Sequence, residues 1–220
     1  MSVKKLKRFS HNEGFDSNLF TCINYKDKSN DASIPPNKPY IQIAAFDPGI
    51  INTGCRIERR LKDPSGNVVT RTVRQILLKS AQKESAEHYF ITMRNHLMTM
   101  ARDLYECDYI LIESQMRNNP EAIRMSQHII STLLGITEGS DAVIIEILPT
   151  VKSRSFGIRG LKGKELKKWA VVESLKILEE RGDIKGESMI KETKKKDDHA
   201  DVILYCDAWY RYLQTNNFSP

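Results

Sequence analysis

The sequence predicts an α/β fold built on a five-stranded mixed sheet, three antiparallel strands and then two parallel ones, flanked by helices. Three observations predict it. The run YIQIAAF at 40–46 is short, nearly continuously apolar and rich in β-formers, as in a central strand buried on both faces. Two more β-like runs, 53–58 and 68–78, follow at once, joined by the turn-forming set Asp63-Pro64-Ser65-Gly66-Asn67. From residue 83 onward, helical and strand-like patterns alternate to the C-terminus.

The later elements are justified one by one. Tyr89, Met93, Leu97, Met100 and Leu104 recur at spacings of three and four, which predicts one amphipathic helix over 83–105 with its apolar stripe on the sheet. Residues 109–112 form a short buried strand. Pro120 suits the first turn of a helix over 120–134, and the strand at 142–148 is stopped by Pro149. Helices over 163–181 and 196–213 complete the chain. Three antiparallel strands followed by helix, strand, helix, strand, helix is the element order of the ribonuclease H-like fold. In open α/β sheets, functional groups collect at strand ends.

At 220 residues, 40% hydrophobic and 28% charged, the chain suits one well-buried domain, expected over 40–220, preceded by a flexible polar and basic tail over 1–39. Pro35, Pro36 and Pro39 oppose regular structure at the end of that tail. No apolar run approaches the roughly 20 residues of a membrane span, and the first residues lack the apolar core of a secretory signal. An intracellular, non-membrane protein is the expectation. Cys22, Cys55, Cys107 and Cys206 are scattered singly, which argues against structural zinc and for reduced, buried thiols. The net charge of +6 is local: residues 150–196 hold 14 Lys and Arg against 7 acids, whereas the chain outside 1–39 and 150–196 holds 13 against 17. Lys152, Arg154, Arg159, Lys162, Lys164, Lys167, Lys168 and Lys194 to Lys196 form what a polyanion-facing surface requires.

Four carboxylates carry the chemistry. Asp47 ends the first strand, Glu113 ends the strand at 109–112, and Asp198 and Asp201 stand one helical turn apart directly after the lysine run. An acid closing a buried strand is costly unless paired or metal-bound. Hard oxygen ligands on rigid elements are what two Mg²⁺ ions need for phosphoryl transfer. Asp-Pro-Gly is also a common turn, and Asp197 and Asp198 also suit the positive end of the last helix, so the choice of ligand there stays open between the two.

Taken together, Asp47-Pro48-Gly49 with Thr53-Gly54, Ile112-Glu113-Ser114-Gln115 and Asp198-His199-Ala200-Asp201 resemble the RuvC-type Holliday-junction resolvases, especially their poxvirus and mitochondrial branch. The resemblance covers residues 40–212 in order and spacing. It implies a homodimeric, Mg²⁺-dependent endonuclease, with Mn²⁺ able to substitute, that nicks two opposing strands of a four-way DNA junction and leaves 5′-phosphate ends. Asp47, Glu113, Asp198 and Asp201 match the family's acids, two metal ions being held per site. A basic residue also used by the family is matched by Lys167 or Lys168. Gln115, Arg117 and Asn119 follow the glutamate as DNA-contacting residues, beside the basic positions Lys152, Arg154, Arg159, Lys162 and Lys164. The alternatives are a ribonuclease H-like nuclease acting on flaps or hybrids, and an ATP-binding protein of the actin and sugar-kinase type, for whose second phosphate loop the chain has no room. As a resolvase, the protein belongs at a site of DNA replication or recombination, in the nucleus or a viral factory in the cytoplasm.

Overall fold

The computed structural model describes residues 20–22, 38–62, 68–79 and 86–215. Its strands are β1 (Phe20–Cys22), β2 (Tyr40–Asp47), β3 (Asn52–Lys62), β4 (Val68–Lys79), β5 (Tyr109–Glu113) and β6 (Val143–Ile147). The helices are α1 (Ala86–Thr99), α2 (Ala101–Tyr105), α3 (Pro120–Ile136), α4 (Val151–Arg154), α5 (Gly163–Glu180), α6 (Ile184–Glu192) and α7 (Lys196–Thr215). All form one sheet in the order β1-β6-β5-β2-β3-β4. The β2-β3-β4 meander is antiparallel, and β5 and β6 run parallel to β2. The five expected strands and their directions are therefore present. A sixth, β1, lies within the segment read as a tail and pairs antiparallel with β6; the rest of 1–37 lies outside the described residues, as does the turn at 63–67.

Side-chain alternation on the strands sorts the core into two faces. Ala44, Phe46, Cys55, Ile57, Ile110, Ile112 and Ile144 pack against Met93, Leu97, Met100 and Leu104 of the first helical region and Met125, Ile129 and Leu133 of α3. The helix expected over 83–105 is interrupted at Met100, giving α1 and α2, while its buried stripe continues across the break. Pro120 occupies the first turn of α3, where its missing N–H costs nothing, and the Asn119 side chain accepts a hydrogen bond from the Ala122 N–H at 3.3 Å. On the other face Ile41, Ile43, Ala45, Tyr109, Leu111, Ile145 and Ile147 meet α7. Behind α7, Ala200, Ile203 and Leu204 pack on Ala170, Ile177 and Leu178 of α5 and Ile190 of α6. Every residue from Val202 to Tyr210 is buried, as expected of a helix held between a sheet and a second helical layer.

That second layer also covers a charged cluster. Arg56, Glu58 and Arg60 alternate on the α7 side of β3, and all three are buried. Glu58 accepts from Arg56 Nε at 2.6 Å and from Arg60 Nε at 2.7 Å. Arg56 reaches Asp183 at 3.0 Å and Thr72 at 2.8 Å, and Asp207 of α7 binds Arg60 at 3.3 Å, Arg211 at 2.8 Å and Arg181. Glu58 sits at a bulge in the β3–β4 ladder, where the register shifts between Ile57 and Glu58. The network ties the meander to the α5–α6 junction and to α7.

Candidate metal centre

Strand register brings the first two acids together. Phe46 of β2 stands beside Ile112 of β5, so Asp47 and Glu113 close adjacent parallel strands at the same end of the sheet. Helix α7 supplies the third, Asp201. Carboxylate oxygens of Asp47, Glu113 and Asp201 all lie within 4.8 Å of one another, close enough to share a cation. The approach depends on Gly54, which pairs with Asp47 across the β2–β3 ladder; a Cβ there would stand 2.4 Å from the Asp198 carbonyl oxygen. The turn leaving Asp47 is closed by Thr53, whose hydroxyl donates to the Gly49 carbonyl at 3.0 Å.

Crowding and burial change these acids in one direction. Burial, and then the charges of Glu113 and Asp201, push Asp47 well above the usual carboxylate range. Glu113 is raised by burial despite Lys152 and the Tyr205 hydroxyl, and Asp201 is raised by burial despite Lys152. Asp198 lies outside the group of three, yet its charge is felt at Asp47; burial and the neighbouring Asp197 push it up to about 6. Asp197 points to another partner: Lys167 donates to it at 2.5 Å and holds it below the usual range against the effect of burial.

Two residues complete the site. Lys152, on the four-residue helix α4, donates to Asp201 and stands 3.8 Å from Glu113 Oε2. Burial disfavours its charge, but Asp201, Glu113 and Asp47 outweigh that and hold the ammonium protonated. Tyr205, one turn after Asp201 on α7, is fully buried and donates its hydroxyl to Glu113 Oε2. The Lys152 ammonium lies 5.3 Å from the centre of its ring.

Lys152, expected among the DNA-facing basic positions, is 8% exposed and turned into the acids, because α4 folds back from the end of β6 under α7. Lys167 is engaged with Asp197, and Lys168 is exposed without an ion pair to the three acids among the described residues. Arg154, Arg159, Lys162 and Lys164 are exposed on and after α4, as are Lys194, Lys195 and Lys196. Arg117 and Asn119 are exposed beyond Glu113, while Gln115 is half-buried and donates to the Glu113 carbonyl at 3.3 Å. His199 is buried and stands outside the acid group. A basic residue within reach of strand-end acids was the missing signal for Lys152; for Tyr205 the signal was its spacing of four from Asp201.

No family model matches the chain. Over 157 residues it is 29% identical to uncharacterized protein 97L of Invertebrate iridescent virus 3, covering 69% of this chain and 74% of that protein. Among solved structures, RuvC of Thermus thermophilus superposes with a TM-score of 0.52 at 16% identity, covering 78% of this chain and 96% of that one. The same protein in complex with Holliday junction substrate gives 0.51 at 14% identity, with coverage of 78% and 96%. The yeast mitochondrial Holliday junction resolvase Ydc2 gives 0.52 at 17% identity and covers 81% of each chain. From its sheet order, its helix layers and these superpositions, the chain has the RuvC-type form of the ribonuclease H-like fold.

Proposed function

We propose that this chain is a divalent-metal-dependent endonuclease that resolves four-way DNA junctions by paired, symmetric nicks. The observation that carries the reading is the convergence of Asp47, Glu113 and Asp201 at one end of a RuvC-type sheet, with oxygens within 4.8 Å. Three half-buried carboxylates facing one lysine leave negative charge uncompensated, and hard oxygen donors of this kind fit Mg²⁺, with Mn²⁺ as a substitute. Asp47, Glu113 and Asp201 would hold the metal, with Asp198 available for a second ion. A metal held there would supply activation of water and stabilisation of the leaving oxygen of a phosphodiester.

The chain's own residues do the remaining work. Lys152 takes the part that the sequence alone assigned to Lys167 or Lys168: it offers a buried positive charge to the phosphate oxygens as negative charge develops on them. The exposed Arg154, Arg159, Lys162 and Lys164, with Lys168 and the lysines at 194–196, draw in the DNA backbone, and Arg117 and Asn119 contact it beside Glu113. Junction choice comes from shape: a homodimer with two such sites matches a two-fold branched substrate. The protein then acts wherever such junctions form inside the cell.

The test is incubation of the purified protein with labelled four-way junction, flap, RNA–DNA hybrid and linear duplex, in Mg²⁺ and in EDTA. Paired symmetric nicks in the junction alone, bearing 5′-phosphates and absent in EDTA, are expected. Preferential cutting of flap or hybrid would instead make it a ribonuclease H-like nuclease of another specificity. Asp201→Asn should abolish nicking while junction binding persists; full nicking by that variant would remove Asp201 from the site.

A further inference from the structure

Tyr205 is not needed to fill space alone. Its hydroxyl enters a cluster of acids from a helix whose neighbouring positions, Val202, Leu204, Ala208 and Trp209, are apolar. It donates to Glu113 Oε2, the same oxygen that faces Lys152 at 3.8 Å. Glu113 Oε1 makes no hydrogen bond among the described residues. Among the described residues, one oxygen of the carboxylate is therefore tied down and the other is left to be offered to a cation.

We infer that Tyr205 is a positioning residue that fixes how Glu113 is offered to the metal and so biases the site toward a small divalent cation. This rests on the metal-dependent reading given above. The physical reason lies in the cations themselves. Mg²⁺ demands a strict octahedral set of single oxygens, whereas Ca²⁺ takes more ligands in looser geometry and accepts both oxygens of one carboxylate. A carboxylate with one oxygen held by a phenol presents a single oxygen and suits the smaller ion. Releasing it lets the carboxylate rotate and chelate, which favours the larger one. Residues that orient a metal's ligands in this way are worth about ten- to a hundredfold in metal affinity.

The experiment is calorimetric titration of the full chain and of Tyr205→Phe with Mg²⁺ and, separately, with Ca²⁺, beside thermal melts in EDTA. The Mg²⁺ to Ca²⁺ affinity ratio should fall about tenfold in Tyr205→Phe. Adding Glu113→Gln should remove the difference between the Tyr and Phe chains. An unchanged ratio, whatever happens to the melting temperature, would overturn the proposal and leave Tyr205 a core residue. If Tyr205→Phe does not fold, 3-fluorotyrosine placed at 205 keeps the hydroxyl: its ¹⁹F resonance should move to different positions on saturation with Mg²⁺ and with Ca²⁺, and identical positions would overturn the proposal. Binding of neither ion by the unmodified chain would remove the metal reading and this inference with it, an outcome distinct from binding with an unaltered ratio.

Discussion

Two clusters of charge, one buried and one half-buried, lie on the same side of the sheet, each spanned by α7, and they are built on opposite rules. Around Glu58, four arginines (Arg56, Arg60, Arg181 and Arg211) face three carboxylates (Glu58, Asp183 and Asp207). Burial opposes the charge on Glu58, but Arg60 and Arg56 overcome it and hold the group down at about 2; Asp207 is likewise lowered by Arg181 and Arg60 against its burial. At the strand ends and the start of α7, Asp47, Glu113 and Asp201 share Lys152, Asp198 feels Lys195 and Lys167, and all four acids are raised. A fold that neutralises acids with several arginines in one place, and leaves three of them to share a single lysine a few residues away along α7, suits the second set to the divalent cation proposed above. The network fixes α7 against β3, and the same helix carries Asp201 to Asp47 and Glu113.

Breaking the balanced cluster should be expensive. Asp207→Asn leaves Arg60, Arg181 and Arg211 without their shared partner, and loss of one member of a buried ion pair costs about 3–5 kcal/mol. The melting temperature should fall by about 6–20 °C for a domain of this size, measured by circular dichroism in EDTA. A fall no larger than that of an exposed control such as Glu180→Gln would mean that the network does not hold α7.

A smaller effect is expected where β3 meets the helix. Gly54→Ala forces apart β3 and the Asp198 backbone, at a cost of about 1–3 kcal/mol for overpacking. It should also weaken divalent-cation binding, because α7 carries Asp198 and Asp201. Unaltered cation binding in a folded Gly54→Ala chain would mean that the approach of α7 to β3 does not set the site.

The two clusters should also answer pH in opposite senses. A carboxylate with a raised folded-state pKa favours the folded state most when protonated, so the metal-free protein should gain stability as pH falls from 7.5 through about 6, where Asp198 titrates. Glu58 has the opposite sign: its contribution is full above the ordinary glutamate range and is lost as pH falls toward 2. Melting temperature against pH in EDTA should therefore rise and then fall steeply on acidification. A monotonic fall from neutrality would show that the acid cluster carries no strain.

Much of the acid cluster was legible in the sequence because its geometry follows from local rules. Asp47 and Glu113 terminate short apolar runs that had to become adjacent strands, and Asp198 and Asp201 share a helix face. Lys152 was not legible as part of it: a four-residue helix is too short to show a period, and a lysine within a basic stretch reads as surface. The ion network was hidden for a related reason. Alternating Arg56, Glu58 and Arg60 look like the wet side of a half-covered strand, and only the second helical layer, including the unforeseen α6, shows that this side is buried. β1 is three residues long and takes its place from the free edge of β6, which no local pattern specifies.

The central claim, that the strand-end acids await a divalent cation, is tested most directly by melting the full chain and Asp47→Asn with and without Mg²⁺. In EDTA the variant should melt no lower than the unmodified chain, since Asn adds no negative charge to the crowded acids. Mg²⁺ at a hundred times its Kd should stabilise the unmodified chain by about 2.7 kcal/mol, a rise of about 5–10 °C, and move Asp47→Asn far less. Equal shifts in the two chains, or none in either, would contradict the account.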